Sequence, residues 1–226
     1  MKGLEENLGY EFRDKSLLKS AVSHSSYVTE HNIPRNMCNE RLEFLGDSVL
    51  ETIVRSELCR RFPEEEEGYM TKLKSDIVRC KTLAMVARKL NVGEYLLLGK
   101  GEIKAKSYHR DSILENALEA IIGAIFIDGG FYKAQSVVLK IFDQVFDEAI
   151  KGNLNTDYKS EIQRRIQKDG THNIQYKTID EYGLSHDKTF IVELSVDGKK
   201  LARGKGKTKK SAENLAAKEA MDKFDI

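Results

Sequence analysis

In the stretch NERLEFLGDSVLE, residues 39–51, three carboxylates recur at helical spacing. Glu40, Glu43 and Asp47 stand at i, i+3 and i+7, so a helix would carry them on one face. Such a trio is most often a solvated face. Here Leu42, Leu45 and Val49 leave the helix little purely exposed surface, and like charges at this spacing repel unless a cation compensates them. A hard divalent metal is the natural compensator, because magnesium takes a few carboxylates together with waters and phosphate oxygens. A second segment, DSILENALEAIIGAIF at 111–126, is nearly all apolar after Glu119. That pattern predicts a central, buried helix, on which an acid needs a partner or a metal. Glu115 and Glu119 share a face at i, i+4, and Asn116 lies three residues before Glu119. The two helices could present Glu43, Asp47 and Glu119 as one cluster. His24, His31, His109 and His172 have no spacing that suggests a ligand set or a nucleophile and base, and Cys38 beside the acidic stretch is read as packing.

These groups must be held by helices, and apolar residues do recur at helical spacing through the first two thirds of the chain. The runs are Leu17, Leu18, Ala21 and Val22; Leu42, Leu45, Val49, Leu50, Ile53 and Val54; Leu73 and Ile77; and Leu83, Val86, Ala87 and Leu90. Further helices are expected over 113–127 and 134–150, and Pro63 with Gly68 brackets an acidic turn between two of them. The polar segment 151–156 (KGNLNT) follows as a linker candidate. The division expected is an all-α domain at 1–151, a linker at 152–156 and a small α+β domain at 157–226. In the latter, 158–167 reads as a helix and 174–179 and 190–196 as half-buried strands. Asp197-Gly198 is a two-residue hairpin signal leading into 200–203. Thr208 is the expected N-cap of a last helix with an apolar face at Ala212, Leu215, Ala216 and Ala220. The order is α-β-β-β-α.

A chain of 226 residues has the length for one or two domains, and 40% hydrophobic with 32% charged residues describes a globular protein with real cores. There is no apolar run of about 18 residues and the N-terminus is charged, so neither secretion nor a membrane span is expected. Cys38, Cys59 and Cys80 are odd in number, scattered and without a C-x-x-C arrangement, which fits a reducing cytoplasm and suggests neither disulfides nor zinc. The formal charge of +1 divides into −2 over 1–152 and +3 over 153–226, a slight bias of the C-terminal part toward polyanions.

The stretch NERLEFLGDSVLE resembles the signature of the ribonuclease III family, and EGYMTKLKSDIV and SILENALEAIIGAIFIDGG are similar to its next two blocks in the same order. With the C-terminal segment, the resemblance covers essentially the whole chain. It implies an all-α endonuclease domain followed by a double-stranded-RNA-binding domain, acting as a homodimer on duplex RNA, with no membrane partner and no DNA substrate. It implies two magnesium ions per site, with manganese as a substitute, and products with 5′-phosphate and 3′-hydroxyl ends. Processing of ribosomal-RNA precursors and messenger RNA is the implied role. Carried over residue by residue, Glu43 and Glu119 are metal ligands, Asp47 is a further catalytic acid alongside Glu119, and Glu40 and Glu67 are supporting acids. Phe44 resembles an aromatic knob that inserts into a partner subunit, with packing in its own core as the alternative. Asn116 stands where the family has an aspartate metal ligand; a neutral amide can offer a carbonyl oxygen but removes one unit of compensating charge. The alternative reading is therefore a duplex-RNA-binding protein with a silent nuclease site.

The C-terminal resemblance rests on three places. DYKSEIQRRIQ matches the helix that sets Ser160 and Gln163 against a minor groove, with Arg164 where the family commonly has glutamate. EYGLSHDKTF keeps Gly183 and His186 of the usual loop but has Leu184 in place of proline. GKGKTKKSAENLAA places Lys205, Lys207, Lys209 and Lys210 at the start of the last helix, where backbone N–H groups and the helix dipole already favour phosphate. One such domain spans roughly 16 base pairs and reads shape more than sequence.

Overall fold

A helix that is apolar all round can only be satisfied by burial on every side, and the segment after Asp111 meets that requirement. The computed structural model describes residues 1–150, 158–167, 170–183, 188–206 and 208–224, with the backbone alone at 160, 161 and 222–224. It divides by contact into two units, Met1–Leu154 and Asn155–Ile226. The expected linker at 152–156 lies outside the described residues.

In the first unit the chain runs through α1 (Lys2–Leu8), α2 (Lys15–Ala21), α3 (Ser25–Glu30), α4 (Glu40–Arg61), α5 (Glu67–Ile77), α6 (Cys80–Lys89), α7 (Lys100–Lys104), α8 (Asp111–Gly129), α9 (Phe131–Ile141) and α10 (Asp143–Ile150). Helix α8 is the axis. Its Ala117, Leu118, Ala120, Ile121, Ile122 and Ala124 are wholly buried, and α2, α4, α6 and α9 pack around it. Burying a full Leu or Ile side chain stabilises by about 1.5–3 kcal/mol, so this helix anchors the unit. The 22-residue α4 lies along it and ends at Phe62, before Pro63 and the acidic turn expected there. The single helix expected over 134–150 is two: the chain turns at Phe142, whose side chain is wholly buried while its backbone leaves the helical region at φ −99°, ψ 2°. The N-terminal segment is tied down by Asp128 near the end of α8, which accepts from the Tyr10 hydroxyl at 2.7 Å and from the Arg13 and Asp14 amides at 3.0 and 2.9 Å.

The second unit carries α11 (Tyr158–Ile166), then the antiparallel strands β1 (Ile174–Tyr182), β2 (Thr189–Val196) and β3 (Lys199–Gly206), then α12 (Lys209–Phe224). Both turn residues, Asp197 at φ 48° and Gly198 at φ 77°, take positive φ, as a tight hairpin matched to strand twist requires. Thr208 Oγ1 accepts from the Ser211 amide at 3.1 Å and caps α12, as expected. Ile162, Leu194, Ala216, Ala217 and Ala220 form the core of the unit. Leu215, expected on the apolar face, is 42% exposed, because the buried stripe runs through 212, 216 and 220 with Ala217 beside it and leaves 215 at its edge.

Candidate active site and nucleic-acid interface

Two glycines decide how closely α4 and α8 approach. A Cβ on Gly46 would lie 1.8 Å from the Glu119 carbonyl oxygen, and one on Gly123 would lie 2.2 Å from the Leu42 carbonyl oxygen. Neither position tolerates a side chain, so the helices meet backbone to backbone. Glu43 and Asp47 flank Gly46 in sequence, and this crossing brings them to the Asn116 and Glu119 side of α8.

The electrostatics report the convergence. Burial first, then the charges of Asp47, Glu115 and Glu43, push the Glu119 carboxyl up to about 8. Burial likewise raises Glu43, reinforced by Glu40, Glu115 and Asp47, while a hydrogen bond donated by the Asn116 amide eases its charge. The Cys80 thiol, at the start of α6, donates to Glu115; burial and that carboxylate push it up to about 11. Glu43, Glu115, Asn116 and Glu119 are half-buried and Asp47 is exposed. Other acids of α4 have cations: Glu40 lies 3.6 Å from Arg35, Glu51 is bridged by Lys74 and Arg55, and the buried Glu57 by Arg60 and Arg61. Among the described residues no lysine or arginine forms an ion pair with Glu43, Asp47, Glu115 or Glu119.

Glu43, Asp47, Asn116 and Glu119 come together. Glu40, exposed at the start of α4, still contributes charge to Glu43. Glu67 opens α5 and accepts from the Thr71 hydroxyl at 2.5 Å. Phe44 is 81% exposed, which overturns its alternative reading as a core residue. Cys38 is buried, and burial pushes its thiol up. Sequence reasoning missed Cys80, for which no pattern signals, and the two helix glycines, for which an isolated glycine inside a long apolar period is a readable sign of close approach.

Among the described residues, no three Asp, Glu, His or Cys side chains are placed to hold one ion together. The donor set nevertheless fits a hard divalent cation in kind, since it offers carboxylate oxygens and one amide carbonyl and, among the described residues, no lysine or arginine paired to it.

In the second unit, Lys209 opens α12 with its ammonium 5.8 Å from the Phe190 ring centre, and Lys205 stands 5.4 Å from that of Tyr182. Lys210 and Gln163 are exposed. The side chain of Ser160, together with His186, Leu184 and Lys207, lies outside the described residues.

Comparison with known proteins matches residues 14–145 to the family described as ribonuclease-III-like and 158–223 to the double-stranded RNA binding motif. Ribonuclease 3 of Caldanaerobacter subterraneus subsp. tengcongensis is 40% identical over 99% of this chain and 97% of its own. That of Symbiobacterium thermophilum is 42% identical over 96% and 91%. Among solved structures, the nuclease domain of ribonuclease III from Campylobacter jejuni superposes with a TM-score of 0.60 at 39% identity, covering 65% of this chain and 95% of that one. A second structure of that domain, described as showing flexibility in a region involved in dimer formation, gives 0.59 at 39%, covering 63% and 96%.

Proposed function

The chain belongs to the ribonuclease III family, and from that premise we propose that it is an endoribonuclease that cuts double-stranded RNA with magnesium bound at the α4–α8 cluster. The catalytic part is taken as 1–151 and the duplex-binding part as 157–226, joined by 152–156. The observation that carries the reading is the approach of carboxylates from α4 to those of the buried α8, with no lysine or arginine among the described residues paired to them, in a protein whose other α4 acids are paired. Glu43 and Glu119 would hold magnesium, with the Asn116 carbonyl as a neutral donor, Asp47 as a further catalytic acid and Glu40 and Glu67 in support. Two magnesium ions, when bound, supply Lewis-acid stabilisation of the attacking and leaving oxygens of an in-line displacement at phosphorus. The products would carry 5′-phosphate and 3′-hydroxyl ends.

The second unit would present Lys209, Lys210, Gln163, Ser160 and His186 to the phosphates and minor grooves of an A-form duplex. A single cluster cuts one strand, so a staggered cut through a duplex requires two clusters related by a two-fold axis. Phe44, exposed on α4 beside the cluster, is the proposed contact between subunits. Processing of ribosomal-RNA precursors and messenger RNA in the cytoplasm is the proposed setting; the described helices include none long and apolar enough to cross a membrane.

The site assignment is tested by single substitutions assayed on duplex RNA with magnesium. Glu43→Gln and Glu119→Gln should each lower the cleavage rate at least about a hundredfold, in line with the loss of a metal ligand, and leave RNA binding intact. Cleavage at the parental rate by either variant would remove that residue from the site. Parent protein that binds duplex RNA without cutting it would favour the second reading, a silent nuclease in which Asn116 is the defect.

A further inference from the structure

We propose that Lys159 keeps the duplex-binding surface of the second unit positive by neutralising Glu213, and so acts as a positioning residue for RNA rather than as a contact. This inference rests on the reading of Lys209 and Lys210 as phosphate contacts. Both lysines are exposed at the start of α12, and Glu213 follows them at i+4 and i+3. Residues at those spacings are neighbours on a helix surface, so the carboxylate stands one turn from the two ammonium groups that a phosphate backbone would approach. Left alone it would draw both lysines to itself and repel phosphate, at a separation inside the Debye length of about 8 Å at physiological salt.

Lys159, in the first turn of α11, is placed to remove that charge. Its ammonium donates to Glu213 Oε2 at 2.7 Å, and its backbone N–H donates to Asn214 Oδ1 at 3.2 Å. The ammonium also stands 4.6 Å from the centre of the Tyr176 ring on β1, where a cation is attracted to the aromatic face. Groups on α12 and β1 therefore hold it in place. Lys159 shares its side of α11 with the buried Ile162 and Ile166, at i+3 and i+7, which turns it toward α12 rather than toward a ligand on the opposite side of the helix. The pair nevertheless stays partly in water, with the lysine side chain 42% and the glutamate 26% exposed, so the charge of Glu213 would reach the surface if Lys159 were not there.

The test is the affinity of the full-length protein for a labelled blunt RNA duplex of about 20 base pairs, longer than the roughly 16 that one domain spans, measured in chelator at several salt concentrations. Glu213→Gln, which leaves Lys159 unmasked, should bind about threefold tighter than the parent at low salt, the scale of one exposed charge pair. Lys159→Met, which keeps an apolar stem, should bind about threefold more weakly, with a deficit that shrinks as salt is raised. Combining Lys159→Met with Glu213→Gln should restore the parental affinity. A Glu213→Gln protein that binds no tighter than the parent, with a Lys159→Met deficit that persists at high salt, would make the pair a packing contact and overturn the proposal. A combined variant as weak as Lys159→Met alone would also overturn it, because Lys159 would then touch the RNA itself. If Lys209→Ala with Lys210→Ala weakens binding while Lys159→Met and Glu213→Gln leave it unchanged, the phosphate surface stands and the role of Lys159 falls. Binding untouched by the change at Lys209 and Lys210 would overturn that surface, and this inference with it.

Discussion

Burial and the neighbouring carboxylates push the Glu119 carboxyl up to about 8, and this has a sign that can be measured. Its folded-state pKa lies above the ordinary carboxyl value of 4.5, so between those values the folded chain binds more protons than the unfolded one. Stability then falls as pH rises through that window. Thermal unfolding in chelator should show a melting temperature that declines from pH 5 to pH 8, and Glu119→Gln should flatten the decline. An equally steep decline in that variant would assign the effect elsewhere. Metal affinity should rise over the same interval, because the proton must leave before a cation binds. The candidates themselves were legible in the sequence: the i, i+3, i+7 spacing and the acids at i, i+4 on an otherwise apolar helix single out Glu43, Asp47 and Glu119. The involvement of Cys80 was not, because a single cysteine at the start of a helix carries no periodicity.

At the scale of elements, the site depends on two helices that touch without side chains between them. Gly46→Ala would push a methyl group into the Glu119 carbonyl. It should destabilise by about 1–3 kcal/mol, as overpacking does, and lower metal affinity by parting Glu43 and Asp47 from α8. Gly68→Ala, in the first turn of α5 with nothing within 4 Å of its Cβ, should instead stabilise by about 0.5–1 kcal/mol. Urea denaturation of both variants checks the contrast, and a Gly46→Ala protein as stable as the parent would refute the close crossing. The long amphipathic helices and the Asp197-Gly198 hairpin were readable because period and turn chemistry agree there. Short helices such as α1 were not: seven residues hold too few periods. There the buried Glu5, bonded to the Phe12 amide at 2.7 Å and Lys15 at 2.6 Å, contributes to order that no apolar pattern announces.

For the whole molecule, the exposed Phe44 and the need for two clusters predict a dimer. Light scattering at micromolar concentration should return about twice the 25.7 kDa of one chain, and Phe44→Asp should return one chain's mass. A parent protein that stays at one chain's mass, with or without RNA, would refute it. Duplex binding should weaken steeply with salt, since each phosphate contact releases counterions. Lys209→Ala with Lys210→Ala should weaken it on every sequence and reduce the slope of log affinity against log salt by about 2; an unchanged slope would make the lysines a solvated surface. The most direct test of the central claim is the rate of cleavage of long duplex RNA as magnesium is raised from zero, with the product ends identified. Cleavage should be absent in chelator, its rate should rise with magnesium, and the products should be short duplexes bearing 5′-phosphates. Duplex RNA that is bound yet stays intact at every magnesium concentration would contradict the claim.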